Sequence, residues 1–227
     1  MSTSDISSVI IRSYQPSDLS TCKAMILDGH REYGNDLSYF NQAFETDMAD
    51  IEKNYLQVPN AHWWVAVSTD DNRLVGQVAV QPLRLGDPIY YERTPPEERD
   101  EICELRRMSV APDSQRYGVG SRLLTTLLNF AREHGYRKVH LTTLTHMNKA
   151  CAFYEKYGFV KGDIDRFPID ESNIEKIFQS KEDLLKIFSN PVIFKQGDAI
   201  PEEDQQRMKL PLREAKYAYA QHYFLAL

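Results

Sequence analysis

Between Val110 and Gly135 the chain reads VAPDSQRYGVGSRLLTTLLNFAREHG, and inside it lies the run Gln115, Arg116, Tyr117, Gly118, Val119, Gly120, Ser121. A strand-like end meets a proline, then a turn with two glycines and an arginine, then a long amphipathic stretch. The first turn of a helix leaves backbone N–H groups unpaired and carries partial positive charge, which suits a phosphate. Gly118 and Gly120 let that backbone approach a ligand with no Cβ in the way, and Arg116 adds charge. The chemistry suggested is the grip on a diphosphate. A tight strand-to-helix turn and nothing more fits the same spacing. No Gly-Lys-Ser/Thr follows, so a Walker loop is excluded, and only two of the three glycines of a dinucleotide fingerprint are present.

Other reactive side chains are weaker signals. His140 sits in a strand and His146 near Asn148, yet no Ser or Cys nucleophile pattern accompanies them. A lone histidine is more often satisfied locally. Cys22, Cys103 and Cys151 are scattered and odd in number, without C-x-x-C or H-E-x-x-H spacing. That argues against a disulfide framework or a metal site. Cys103 and Cys151 read as small packing residues.

The elements that must position the turn follow from periodicity. SSVIIRSY is a short strand, and Ser17 and Asp18 cap a helix running toward Arg31. A helical pattern spans residues 41–55. AHWWVAVSTDDNRLVGQVAVQPL reads as a hairpin with a polar turn. Residues 86–100 read as a loop rich in proline and charge. ICELRRMSV is a strand before the quoted helix, KVHLTTLT a strand, NKACAFYEKYG a short helix and FVKGDIDRF a strand. The tail AKYAYAQHYFLAL closes the sheet. Between residues 168 and 211 the pattern changes: Ser180 to Asp183 resembles a capping box, and Ile174, Ile177 and Phe178 have helical spacing. This order predicts an α/β sheet of mixed direction with helices on both faces, and the middle segment is expected to be an insertion before the last strand.

Composition sets the bounds. An apolar fraction of 42% with 13 tyrosines and 10 phenylalanines is enough for a substantial core. A net charge of -6 argues against a general nucleic-acid binder. MSTSDISS lacks the basic start and apolar core of a signal peptide, and no run of eighteen apolar residues would span a membrane. The default expectation is a cytoplasmic protein.

Two motifs then carry a resemblance. Q-R-Y-G-V-G-S after M-S-V-A-P-D-S is similar to the acetyl-CoA-binding motif of the GCN5-related N-acetyltransferase superfamily, whose pattern is Q/R-x-x-G-x-G/A. N-K-A-C-A-F-Y-E-K-Y-G-F, from Asn148 to Phe159, resembles that superfamily's second signature. The likeness covers roughly residues 9–166 plus the final strand, and E-L-R-R-M-S-V is similar to the camello-like branch, whose members usually carry a membrane-inserted segment. It implies a mixed, mostly antiparallel twisted sheet of about seven strands, split between the fourth and fifth. It also implies one N-acetyltransferase domain over 1–227, with the insertion at about 168–211. Met108, Ser109 and Val110 are implied to meet the pantetheine arm of acetyl-CoA. Gln115, Arg116, Tyr117, Gly118, Val119, Gly120 and Ser121 are implied to enclose its diphosphate, and Asn148 to bond it near the thiol. The strand from Glu104 to Val110 spans about 20 Å, similar to an extended pantetheine arm.

Transfer to an amine needs a base, because alkyl amines are charged near neutrality. Glu104, eleven residues before Gln115, has the spacing that histone-acetylating members resemble; a carboxylate in a partly apolar strand has a raised pKa. The plain alternative is a surface glutamate paired with Arg106 or Arg107. Glu101 is a second candidate. Tyr154 matches the tyrosine the family uses as general acid, with Tyr157 as fallback and ring packing as the alternative. A backbone N–H of the bulged strand would face the thioester oxygen. The acceptor reads as a small primary amine or an amino acid derivative. The runners-up are a protein lysine or N-terminus, and a non-catalytic acyl-CoA-binding module. A homodimer is compatible.

Overall fold

In a computed structural model, the structure describes residues 9–35, 44–169 and 191–227. The chain divides into two compact units: Met1–Gly29, Ala43–Val139 and Leu227 form one, His30–Gln42 and His140–Ala226 the other. The described residues form eight strands in an α/β arrangement.

The first unit is built on β1 (Val9–Ser13), β2 (His62–Ser68), β3 (Leu74–Pro82) and β4 (Ile102–Val110), adjacent in that order and antiparallel throughout. Helix α1 (Leu19–Arg31) follows a 3-10 turn at Pro16–Asp18, in which Asp18 accepts from the Gln15 amide and pairs with Arg12 at 2.7 Å. All nine residues of β3 are buried, Gln77 and Gln81 among them, so this strand is covered on both faces. The long helix α3 (Val119–Glu133) turns Val119, Leu123, Leu124, Leu127 and Ala131 inward, the stripe its 3.6-residue period predicts. Trp63 is fully buried, with Tyr14 and Tyr55 set edge-on at 6.3 and 5.0 Å.

Two segments of this unit differ from expectation. Residues 86–100 contain a helical turn α2 (Pro88–Arg93) and a 3-10 turn Pro96–Glu101. The Asp87 carboxylate accepts the amides of Ile89 and Tyr90, and Pro88 takes the first helical position, the pairing that most favours a helix start. The pattern over 41–55 is not one helix. Its described part is helical at residues 44–45, turns over 46–49, and after Asp50 leads into a π turn Glu52–Leu56.

The second unit orders its strands β5 (Lys138–Leu144, entering from the first unit), β8 (Tyr217–Ala226), β6 (Val160–Pro168) and β7 (Val192–Phe194). β6 runs antiparallel to both β7 and β8. Helix α4 (Asn148–Lys156) lies between β5 and β6 in sequence, and α5 (Glu202–Arg207) precedes the closing strand. Strand β7 and helix α5 fall within the expected insertion, and β7 is the strand that raises the count from about seven to eight. The capping box at 180–183 and the helical spacing of Ile174, Ile177 and Phe178 lie outside the described residues.

Candidate active site

Strand β4 ends at Val110, and the Ala111 amide bonds Val75 O at 2.9 Å. A 3-10 turn over Pro112–Tyr117 then leads to Gly118, whose φ of 72° and ψ of 10° place it in the left-handed region. Only glycine enters that region without steric cost. Gly118 is therefore required by the turn itself, whatever the turn binds. Its carbonyl accepts the Ser121 hydroxyl at 2.7 Å and the Arg122 amide at 3.1 Å. No side chain caps α3, so the amides of Val119, Gly120 and Ser121 have no capping partner. Arg116 is exposed and has no ion-pair partner among the described residues. Gln115 and Tyr117 are also exposed, and Gln115 Nε2 reaches back to Val110 O at 3.5 Å. Asp113, the one acid of the turn, is neutralised by Arg73 at 2.9 Å. An anion would meet amides and a free guanidinium.

The seat of this turn on the sheet depends on Gly76. A Cβ there would lie 2.9 Å from Val119 and 2.8 Å from Leu123, so α3 approaches β3 as closely as a hydrogen permits.

Strand β4 carries a bulge. Gln77 pairs with Ser109 and Ala79 with Arg106, so Val78 faces two residues, Arg107 and Met108. Arg107 has a φ of 53°, which accounts for the kink. Its guanidinium grips Asp47 through Nε (2.9 Å) and Nη2 (2.6 Å), and Tyr55 donates to the same carboxylate at 2.6 Å. Burial would raise the Asp47 pKa, but the charges of Arg107 and Arg106 outweigh it and hold the carboxyl well below its usual range. Met108, Ser109 and Val110 are half-buried just past the kink.

Glu104 lies earlier on β4, opposite Gln81, and is 5% exposed. One oxygen accepts the Asp87 amide at 2.8 Å; the other is 3.4 Å from Arg106 Nη1. A Cβ at Gly86 would fall 1.5 Å from Glu104 Oε2, so the carboxylate packs against bare backbone. Gln81 Nε2, buried nearby, has no hydrogen-bond partner. Burial is the main influence on Glu104 and raises its pKa despite Arg106. It is neither a surface glutamate nor tightly salt-bridged. The alternative, Glu101, is half-buried with its carboxylate 3.5 Å from Arg137.

The second unit holds Asn148 and Tyr154 on α4. Tyr154 is 8% exposed, with Phe159 at 5.5 Å and Tyr223 at 6.1 Å between ring centres. Burial pushes its phenol well above 10. Tyr157 stacks obliquely on Phe153. Asn148 is exposed and lines a cavity of about 530 Å³ with Cys151, Glu155, Lys161, Ile200 and Met208 among others. Cys151 is half-buried, its Sγ 3.9 Å from the carbonyls of Leu144 and Thr145; Cys103 is fully buried. His140 is buried in a chain: Nε2 is 2.9 Å from His222 Nδ1, and His222 Nε2 is 3.1 Å from Asp165. His146 pairs with Asn35 at 2.6 Å. Among the described residues no cluster of His, Cys, Asp and Glu has the form of a metal site, and no helix is long and apolar enough to cross a membrane.

Of the predicted residues, Glu104, Met108, Ser109, Val110 and the turn from Gln115 to Ser121 form one continuous strand–turn–helix path, while Asn148 and Tyr154 share one helix of the other unit. Sequence reasoning missed Asp47, Tyr55, Gly76, Gly86 and Asp87. Asp87 before Pro88 is a legible cap; no local signal joins Asp47 to Arg107 across sixty residues.

The family model described as "Acetyltransferase (GNAT) family" matches residues 31–159, more than half of the chain. A relative named "Probable N-acetyltransferase camello" from Xenopus tropicalis is 36% identical over 122 residues, 54% of this chain and 49% of its own. The chain thus spans about half the length of the curated relatives it matches. An acetyltransferase of the GNAT family from Staphylococcus aureus superposes with a TM-score of 0.58 at 16% identity, covering 96% of this chain and 99% of that one. The structure of yncA from Salmonella typhimurium with its cofactor acetyl-CoA has a TM-score of 0.52 at 12% identity, covering 97% and 94%.

Proposed function

The chain belongs to the acetyltransferase (GNAT) family, and on that premise we propose that it transfers an acetyl group from acetyl-CoA directly to a primary amine. The acceptor is a small molecule or an amino acid derivative. Acetyl-CoA supplies a thioester, an acyl group already activated toward amines. The observation that carries the reading is the uncapped start of α3 beside the exposed Arg116, which has no ion-pair partner among the described residues. Amides and a guanidinium without internal partners fit a diphosphate.

Each remaining role follows from a side chain's surroundings. Glu104 takes the proton released by the attacking amine; burial raises its pKa toward the working range of a general base. Its bonds to the Asp87 amide and Arg106 fix the carboxylate without neutralising it fully. The amides and carbonyls of Met108 to Val110, past the bulge, orient the pantetheine arm, and an amide there stabilises the tetrahedral oxygen. Asn148 bonds the cofactor near its thiol. Tyr154 is the donor to the departing sulfur. A phenol held above 10 keeps its proton at any working pH, so it acts chiefly through a hydrogen bond, full transfer from it being uphill. Direct transfer needs no covalent enzyme intermediate, since holding amine and thioester together supplies the proximity.

The test is calorimetry with acetyl-CoA, followed by thiol release against a panel of small amines, amino acids and peptides. Binding with release for small amines is the expected result, and Gly118→Glu should abolish binding. Release with peptides alone would move the acceptor to protein. Tight binding without release for any amine would make the chain an acyl-CoA-binding module.

A further inference from the structure

We propose that Asp47 and Tyr55 are positioning residues that hold Arg107 in its left-handed conformation and so fix the kink that aims the backbone of Met108 to Val110. The reading rests on the cofactor site proposed above.

Three non-glycine residues among those described have positive φ: Asn60, Asn72 and Arg107. Asparagine tolerates that region through its short polar side chain, and both asparagines stand outside strands, in the connections flanking β2. Arg107 is neither asparagine nor in a turn. It sits inside β4, where an extended backbone would cost nothing. A strained residue persists only when its surroundings over-determine it.

The surroundings do so from one side. Both ends of the guanidinium fork are bound to a single carboxylate, at 2.9 and 2.6 Å. That carboxylate is fixed in turn by the Tyr55 hydroxyl, and the Asp47 carbonyl accepts Asn54 Nδ2 at 3.1 Å. Tyr55 is fully buried and set edge-on against Trp63. The chain of contacts runs from the core, through the π turn Glu52–Leu56 and Asp47, to the one residue of β4 with the wrong sign of φ. A bidentate pair fixes direction as well as charge, which a surface lysine or a single bond would not. The three residues past Arg107 are the backbone segment assigned to the pantetheine arm.

Glycine adopts this φ freely, so it separates holding the kink from every other use of Arg107. The experiment compares the unaltered chain, Asp47→Asn, Tyr55→Phe and the double variant Asp47→Asn with Arg107→Gly. Amide hydrogen exchange over residues 106–110 without ligand is one readout, and calorimetry with acetyl-CoA is the other. Asp47→Asn is expected to speed exchange and weaken acetyl-CoA binding, each by about tenfold, the factor that relief of modest strain corresponds to. Tyr55→Phe should do the same to a smaller degree. The double variant, with no charge of the pair left buried, should return binding to within about threefold of the unaltered chain, since glycine removes the strain. Unchanged exchange and affinity in Asp47→Asn overturn the proposal, as does a double variant no better than Asp47→Asn alone. Should Asp47→Asn fail to fold, Tyr55→Phe and the double variant carry the same decision. Exchange is read without ligand, so a chain that binds no acetyl-CoA but whose exchange responds as expected sinks the function reading and leaves the hold on the kink standing.

Discussion

Asp47 and Glu104 both meet strand β4, both are largely withdrawn from water, and both have an arginine of that strand as partner. Asp47 receives two short guanidinium bonds and a tyrosine hydroxyl, and its pKa falls. Glu104 receives one amide and one guanidinium nitrogen at 3.4 Å, and its pKa rises. The two sites share residue types and differ in geometry. Burial pushes both carboxyls upward; at Asp47 the charges of Arg107 and Arg106 together reverse the sign, while at Glu104 the charge of Arg106 does not. A carboxylate locked in its ionised form is a structural post. One left short of partners stays ready to accept a proton.

Four experiments break or sharpen this contrast. The largest effect belongs to Arg107→Ala, which strands the Asp47 charge and should cost about 3–5 kcal/mol in denaturant unfolding. Arg106→Ala should cost about 1 kcal/mol, because Glu104 can take up a proton. Equal losses would erase the distinction. Next, Glu104→Gln should lower kcat by about 10²-fold while the chain stays folded; a comparable rate in steady-state assays would remove Glu104 from the chemistry. Gly86→Ala comes third. Its methyl would meet Glu104 Oε2 at 1.5 Å, so it should cost about 1–3 kcal/mol and lower turnover while acetyl-CoA affinity holds.

The smallest effect is in pH. Asp47, with its folded pKa below the ordinary 3.8, adds stability that is present above 3.8 and lost as pH falls through the folded value. Glu104, raised above 4.5, has the opposite sign: its contribution declines as pH climbs from 4.5 through the folded value. Subtracting acid-titration stability curves of Asp47→Asn and Glu104→Gln from the unaltered chain should give slopes of opposite sign, each at most about 1.4 kcal/mol per pH unit. Slopes of one sign would refute the contrast.

The sequence shows one of these carboxylates and hides the other. Glu104 is legible because it stands in a recognisable strand at a set distance from the glycine turn. Asp47 sits in a stretch whose apolar spacing suggests a helix, and the structure breaks that stretch so the acid can face Arg107. Tertiary pairing overrode local periodicity there. Strands β1 to β6, β8 and helices α1, α3 and α4 follow from apolar period and turn residues, since each buries a face whose spacing repeats. Strand β7 is three residues long, too short for any period to show. The glycine turn was visible in outline; that Gly118 is left-handed and α3 uncapped is a matter of dihedral angles.

Gly76 touches nothing that reacts, yet it sets the height at which α3 rests on β3. A branch at that position would meet the Val119 and Leu123 side chains at under 3 Å and should push the first helical turn, with its free amides, away from the sheet. On the proposed reading, affinity for the diphosphate would then depend partly on a residue one layer beneath the contact surface. Enlarging Gly76 should detune recognition gradually, with the bulkiness of the replacement, while the acid–base groups stay untouched.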